Sequence, residues 1–137
     1  MRMNKCKFST ADKWFSYFVR LRDVQWGGYG QCRTCGAVDH WKSMDCGHFQ
    51  TRDRPMTRFD ERNCHLQCKH CNWGKKGEQY KMSVYIDNVY GAGTADLLEN
   101  LAGIRGQKIH GKLALKDIAK EYRLKAKDMA REKGVEL

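Results

Sequence analysis

Asp45 and His48 stand three residues apart between two C-x2-C pairs, Cys32/Cys35 and Cys68/Cys71, and Asn72 follows the last cysteine directly. These side chains are two kinds of metal ligand. Each C-x2-C pair makes a tight knuckle that presents two thiolates to one ion, and four sulfurs complete the closed tetrahedral shell of a structural zinc. Cys46 and Cys64 compete for that role, because Cys46-x-His48 or Cys64-x3-Cys68 would also ligate. The two C-x2-C pairs are preferred because their knuckle geometry repeats. An Asp carboxylate and an Asn carbonyl are hard oxygen donors suited to magnesium or manganese. A neutral His beside them can take a proton from water. Cutting a phosphodiester needs this combination, a base for the attacking water and a cation for the charge on the leaving oxygen. The residues predict Asp45 and Asn72 on a catalytic divalent ion, His48 as base, and zinc as the device that places Asn72.

The formal net charge is +10, from 26 basic and 16 acidic residues. That excess points to a polyanion, although a merely basic solvated surface would give the same count. Four arginines, Arg52, Arg54, Arg58 and Arg62, crowd the segment after His48, and Lys75 and Lys76 follow Asn72. Guanidinium forks match phosphate oxygens, so these residues are candidate DNA contacts. Lys120, Arg123 and Lys127 extend the same expectation to the C-terminal segment. No apolar run approaches the roughly 18 residues of a membrane span, and no membrane partner is expected. The N-terminus shows no apolar signal core, so the expected compartment is reducing cytoplasm, where cysteines bind metal in preference to forming disulfides. Cys6 is then a free thiol.

A core of modest size is available, since 41% of the residues are hydrophobic. Ser9-Thr10-Ala11-Asp12 fits a capping box opening a helix over residues 10–25, with residues 1–8 as a loose basic lead. Trp14, Phe15, Phe18, Val19 and Leu21 supply its apolar stripe. Glycines 27, 28 and 30 turn the chain into the first knuckle. Residues 37–45 read as a strand entering Asp45, with Trp41 as an inward anchor and His40 at the surface. Residues 48–57 read as a loop, and residues 72–73 as part of a short helix ended by Gly77. Helices are expected over residues 78–90, from a Thr94 cap to Gly103, and over residues 113–133 after a basic linker. The last carries the narrow stripe Leu115, Ile118, Tyr122, Ala126, Met129, which suits either the core or a partner helix. The fold class expected is α+β. Residues 1–28 form an N-terminal helix, 29–82 a zinc-knuckle core and 83–137 a helical extension.

Longer motifs carry a resemblance. Cys32-x2-Cys35, Asp45-x-Gly47-His48-Phe49, Arg58-Phe59-Asp60-Glu61-Arg62-Asn63-x-His65-x-Gln67-Cys68-x2-Cys71-Asn72 and Gly77 are similar to the bacteriophage NinG/Rap recombination-protein family. The arrangement also resembles zinc-knuckle HNH (His-Me finger) nucleases and phage endonuclease VII. The resemblance covers residues 31–81 well and the later helices only in pattern. It implies a ββα-metal core with flanking helices. It further implies an endonuclease acting on branched DNA in phage recombination, including Holliday junctions and displacement loops, in the host cytoplasm. By the same likeness Asp45 and Asn72 bind the divalent ion, His48 is the base, and Asn63 orients the catalytic His. His65 is a further candidate metal or phosphate ligand. One departure is that Gly47 occupies the place before the base where many HNH proteins carry a metal ligand, which leaves His48 open as base or ligand. The chain is also short at its N-terminus beside longer members, which would cost a DNA-binding arm. Two other readings stand beside this one, an HNH nuclease acting on ordinary duplex DNA and a non-catalytic zinc module that binds nucleic acid. A homodimer stays open.

Overall fold

Apolar residues at helical spacing dictate the two longest elements, which build the frame for everything else. The computed structural model describes residues 2–105 and 112–137. The remainder of the expected linker and the side chain of Cys6 lie outside the described residues. Helix α1 runs over Arg2–Asp23 and helix α4 over Lys112–Lys133. They run side by side in the same direction. Phe15 meets Tyr122 edge-to-face at 4.8 Å between ring centroids, and further on the Gly27 amide donates to the Lys133 carbonyl at 2.6 Å. Phe15, Phe18, Val19, Tyr122, Ala126 and Cys64 form one buried cluster. The narrow stripe of α4 thus docks on the core. The ammonium of Lys133 bonds the Val24 carbonyl at 2.6 Å, placing a cation at the C-terminal end of α1.

Helix α1 begins eight residues earlier than the capping-box reading put it, so residues 2–8 are helix and not a loose lead. Ser9 and Thr10 lie inside the helix. Asp12 has another use, since its carboxylate accepts both arms of the Arg58 guanidinium at 3.1 and 2.6 Å. Beyond α1 the chain turns through Gly28, whose φ of +94° and lack of a Cβ admit the Trp41 ring; a Cβ there would lie 2.9 Å from it.

Strands β1 (Tyr29–Gln31) and β2 (Val38–His40) form one antiparallel hairpin, and β3 (Asp45–His48) pairs antiparallel with β4 (Cys64–Gln67) in a second sheet. The single strand expected over residues 37–45 is instead broken by a 3₁₀ turn at Trp41–Ser43. Trp41 is drawn into the core against Leu21, Val24 and Met44, which bends the chain between β2 and β3. After β4 comes a short π-helical segment, His70–Gly74, then α2 (Gln79–Tyr90) and α3 (Thr94–Ala102). Thr94 is the first residue of α3 and not its cap, because the Asp87 carboxylate of α2 accepts from the Ala95 amide at 2.9 Å. Met82, Ile86, Ala95, Leu98 and Phe49 close a third cluster. The chain is a mixed α+β structure with small sheets. Among the described residues no helix is long and apolar enough to cross a membrane.

The join between α1 and β4 is ionic and buried. Asp23, 7% exposed, takes two bonds from Arg22 at 2.8 and 3.1 Å and one from the Leu66 amide at 2.9 Å. Burial opposes the charge on Asp23, but these donors outweigh it and hold the carboxyl below its usual range. Arg22 also reaches the carbonyls of Glu61 at 3.0 Å and Cys64 at 2.7 Å. Asp23→Asn would leave that guanidinium without its counterion, and a broken buried pair costs about 3–5 kcal/mol. Urea unfolding of the variant should show a loss of that order; a change within about 1 kcal/mol would mean the pair is dispensable.

Candidate functional site

The four knuckle cysteines converge. Cys32 and Cys35 follow β1, Cys68 and Cys71 follow β4, and all four sulfurs lie within 4.8 Å of one another. The Cys35 and Cys68 sulfurs are 3.7 Å apart. Tetrahedral zinc with sulfur at about 2.3 Å requires an edge of about 3.8 Å, so the spacing fits. The amide of Cys71 points at the Cys68 sulfur at 3.4 Å, a donor that stabilises a thiolate. Burial pushes the Cys71 thiol up to about 12. Cys32 is held at about 6, where Thr34 and nearby amides outweigh burial. A cation bound among them would hold all four as thiolates, Cys71 included, because only the thiolate ligates metal. The structure brings Cys46 and Cys64 to none of these positions; Cys46 pairs with Leu66 and Cys64 with His48 across β3 and β4.

Directly beyond Cys71, Asn72 meets Asp45. The Asn72 amide nitrogen donates to one Asp45 oxygen at 3.1 Å, and the Trp73 indole donates to the same oxygen at 3.1 Å. Lys69 binds the other oxygen at 2.8 Å. Burial would raise the Asp45 carboxyl, but these donors outweigh it and keep the group ionised. Turning the Asn72 amide over puts its oxygen where the nitrogen is. Two oxygens at about 2.1 Å on neighbouring octahedral positions are about 3.0 Å apart, so this pair has the spacing of a magnesium or manganese edge.

His48 ends β3. Its Nε2 lies 3.1 Å from the Arg58 carbonyl, which accepts only, so Nε2 carries the proton and the neutral ring keeps its lone pair on Nδ1. Burial pushes this imidazole below its usual value, against the pull of the Arg58 and Cys46 carbonyls. The ring is thus neutral near pH 7. The alternation of a strand sends Asp45 and His48 to opposite faces of β3. Both nonetheless border one cleft of about 450 Å³, together with Cys46 between them. Asp12, Ser16, Asn72, Trp73, Arg52 and Lys76 also line it.

Asn63 is fully buried, and its side chain braces the loop over residues 49–63. It accepts from the Gln50 amide at 2.8 Å and donates to the carbonyls of Gln50 at 2.9 Å and Thr57 at 3.1 Å. It is the Arg58 carbonyl that holds the His48 ring, so Asn63 acts on that ring only through the loop. His65 does not reach the cleft. It is 1% exposed, donates from Nε2 to the Arg62 carbonyl at 2.8 Å, and faces Arg22 with Nδ1 at 3.1 Å. Burial, then Arg22, push it down to about 4. Gly47 cannot carry a ligand, since a Cβ there would lie 1.9 Å from the Gln67 amide oxygen. Gln67 is fixed in turn by the Gly77 carbonyl at 2.9 Å.

The basic candidates separate. Arg52 is 62% exposed beside the cleft, near Asp12 at 3.7 Å, and Lys75 is exposed beside Lys76. Arg58 is committed to Asp12 and to the Arg52 carbonyl at 2.8 Å, and Arg62 is paired with Asp60 at 2.7 Å. Arg54 is half-buried and, like Lys120, Arg123 and Lys127 of α4, is absent from the cleft lining. Sequence reasoning missed Lys69, Trp73 and Asp12. The first two adjoin assigned ligands in the chain, which was signal enough to look. Asp12 gave no signal beyond a cap it does not form.

A family model described as NinG, bacteriophage lambda NinG protein, matches residues 4–132. Curated relatives bear the name Protein ninG. The one from Salmonella phage P22 is 33% identical over 115 residues, covering 82% of this chain and 52% of the relative. That of Escherichia phage lambda is 32% identical over 113 residues, with the same coverage of 82% and 52%. That of Escherichia phage 933W is 36% identical over 84 residues, 61% of this chain and 39% of its own length. The chain thus spans about half the length of the relatives it matches, or less. No solved structure matches.

The sulfur geometry generates a direct expectation. The purified chain should hold one tightly bound zinc, and Cys68→Ser should lose it together with near-UV dichroism, because ligand assembly and local folding are coupled. Wild-type zinc content and dichroism in that variant would remove Cys68 from the ligand set.

Proposed function

This chain belongs to the NinG family, and we propose that it is a metal-dependent DNA endonuclease acting on branched DNA. The observation that carries the reading is the meeting of the Asp45 carboxylate and the Asn72 amide at 3.1 Å in a cleft that also holds a neutral His48. A non-catalytic zinc module has no use for such a set. On this reading β3, β4 and the segment at His70–Gly74 correspond to a ββα-metal core, stapled by zinc on Cys32, Cys35, Cys68 and Cys71.

Asp45 and Asn72 would hold magnesium or manganese. When bound, such an ion supplies positive charge for the leaving oxygen and the phosphoryl group. His48 takes the proton of the attacking water at Nδ1, while the Arg58 carbonyl fixes the ring through Nε2. The imidazole needs no deprotonation at neutral pH, because burial has already set it low. Arg52 and Lys76 border the cleft and hold backbone phosphates. Lys69 neutralises Asp45 between substrates and must release it to a cation. The preference for branched over linear DNA follows from the family resemblance of the motifs.

Labelled junction, flap, loop and linear duplex DNA, with and without magnesium or manganese, test the reading. His48→Ala should keep zinc and DNA affinity and cut about 10²–10⁴-fold more slowly, the usual worth of a positioned base. Asp45→Ala and Asn72→Ala should also lose cutting and regain part of it at high manganese, which binds such sites more tightly. The wild-type rate should fall on acidification with a midpoint below the usual imidazole value of about 6.5. Manganese rescue of His48→Ala equal to the others would make His48 a metal ligand. Zinc-dependent DNA binding with no cutting under any condition would favour the module.

A further inference from the structure

Beside the catalytic reading lies a second set of soft ligands, in which two cysteines that hydrolysis does not use join His48. Cys46 and His48, two apart, share a face of β3, and Cys64 stands opposite His48 in the β3–β4 register. One ligand atom from each lies within 4.8 Å of the other two. None belongs to the four-sulfur cluster. Cys64 is fully buried, whereas Cys46 and His48 are half-buried and line the cleft. The group is therefore closed behind and open in front, which is the form of a site with three protein ligands and an exchangeable fourth position.

The histidine is already oriented for this. Metal-bound imidazoles nearly always donate their other N–H to a carbonyl or carboxylate, which fixes tautomer and direction. The Nε2 of His48 does so to the Arg58 carbonyl at 3.1 Å, leaving Nδ1 as the ligating atom. That carbonyl is itself held, since the Arg58 side chain is clamped on Asp12. Two sulfurs and an imidazole select zinc or cadmium over magnesium, which prefers oxygen.

We propose that Cys46, His48 and Cys64 form a second, exchangeable site for a soft divalent cation such as zinc, and that an ion bound there occupies His48 and switches hydrolysis off. The binding half stands on the geometry of the three ligands. The switching half rests on the reading of His48 as the base. Two metal–sulfur bonds and one metal–nitrogen bond form, and the two thiol protons leave to solvent. No electron moves. The fourth position faces the cleft and takes water or a phosphate oxygen. An ion that shares the lone pair of Nδ1 leaves no acceptor for the proton of the attacking water.

The test uses the full chain carrying its first zinc. Equilibrium dialysis against zinc, and in parallel cadmium, should show a second equivalent bound to the wild type, with a new sulfur-to-metal absorption band in the cadmium form. Cys46→Ala and Cys64→Ala should each keep the first equivalent and lose the second. Two variants are used because Cys64 is fully buried in the core and Cys46 is only half-buried against it. A wild type that stops at one equivalent, or a second equivalent retained by both variants, overturns the site. Magnesium-supported cutting should then fall by about 10²-fold or more as the second equivalent binds, the worth of the base. It should recover when a mild chelator removes that ion, and zinc should not lower the cutting rate of Cys64→Ala. A filled second site with undiminished cutting overturns the switch. A filled second site in a protein that cuts under no condition supports the site and fails the nuclease reading instead.

Discussion

The convergence of four sulfurs from two distant stretches of chain is the constraint on which the rest depends. Cys32 and Cys35 lie more than thirty residues before Cys68 and Cys71, yet all four sulfurs fall within 4.8 Å. Closing a loop of that length costs conformational entropy, and the cost must be met by interactions at its ends. Besides the sulfurs, Cys32, Leu66 and Cys71 pack there in one buried cluster. The Arg33 amide reaches the Leu66 carbonyl at 2.9 Å, and Gln67 reaches the Thr34 hydroxyl at 3.1 Å. Because Asn72 is covalently next to Cys71, whatever fixes that sulfur also fixes the amide against Asp45.

A second set of contacts serves His48. The loop after β3 carries no regular structure apart from the 3₁₀ turn at Glu61–Asn63, yet it is pinned at three points. Asn63 ties its two ends together through Gln50 and Thr57. The Phe49 amide donates to the Asn63 carbonyl at 2.8 Å. Arg58 anchors its middle to Asp12 of α1. A carbonyl on a loose loop would not define an imidazole tautomer; this one is held from the other side by a two-point ionic contact. The arginine expected to bind phosphate thus contributes through its backbone.

Much of the local chemistry was legible in the sequence because it depends on short spacing. The C-x2-C knuckles, the helix after the second one and the helices at Gln79–Tyr90 and Lys112–Lys133 all follow from local pattern. The Asp45–Asn72 contact followed from the zinc hypothesis. What was not legible depends on partners far away in sequence. Asp12 looks like a cap until Arg58, 46 residues on, is placed beside it. Asp23 and Arg22 look like a charged helix end, and only the fold reveals them as the buried tie to β4. His65 read as a candidate metal or phosphate ligand, with a structural role as the alternative. Its burial against Arg22 depends on strand register, in which it sits opposite Gly47. Gly47 itself is explained by the same register, as the gap that Gln67 fills.

The central claim is that one chain holds two metals of different character, with the sulfur-bound ion fixing the oxygen site. Anomalous diffraction from crystals of the zinc-loaded chain soaked in manganese chloride, recorded at the absorption edges of both metals, tests it most directly. The account predicts zinc at the centre of Cys32, Cys35, Cys68 and Cys71. It also predicts manganese bound by one oxygen of Asp45 and the amide oxygen of Asn72, at the about 2.1–2.2 Å usual for hard cations on oxygen. Manganese absent from Asp45 and Asn72, with those side chains still hydrogen-bonded to each other, would contradict it.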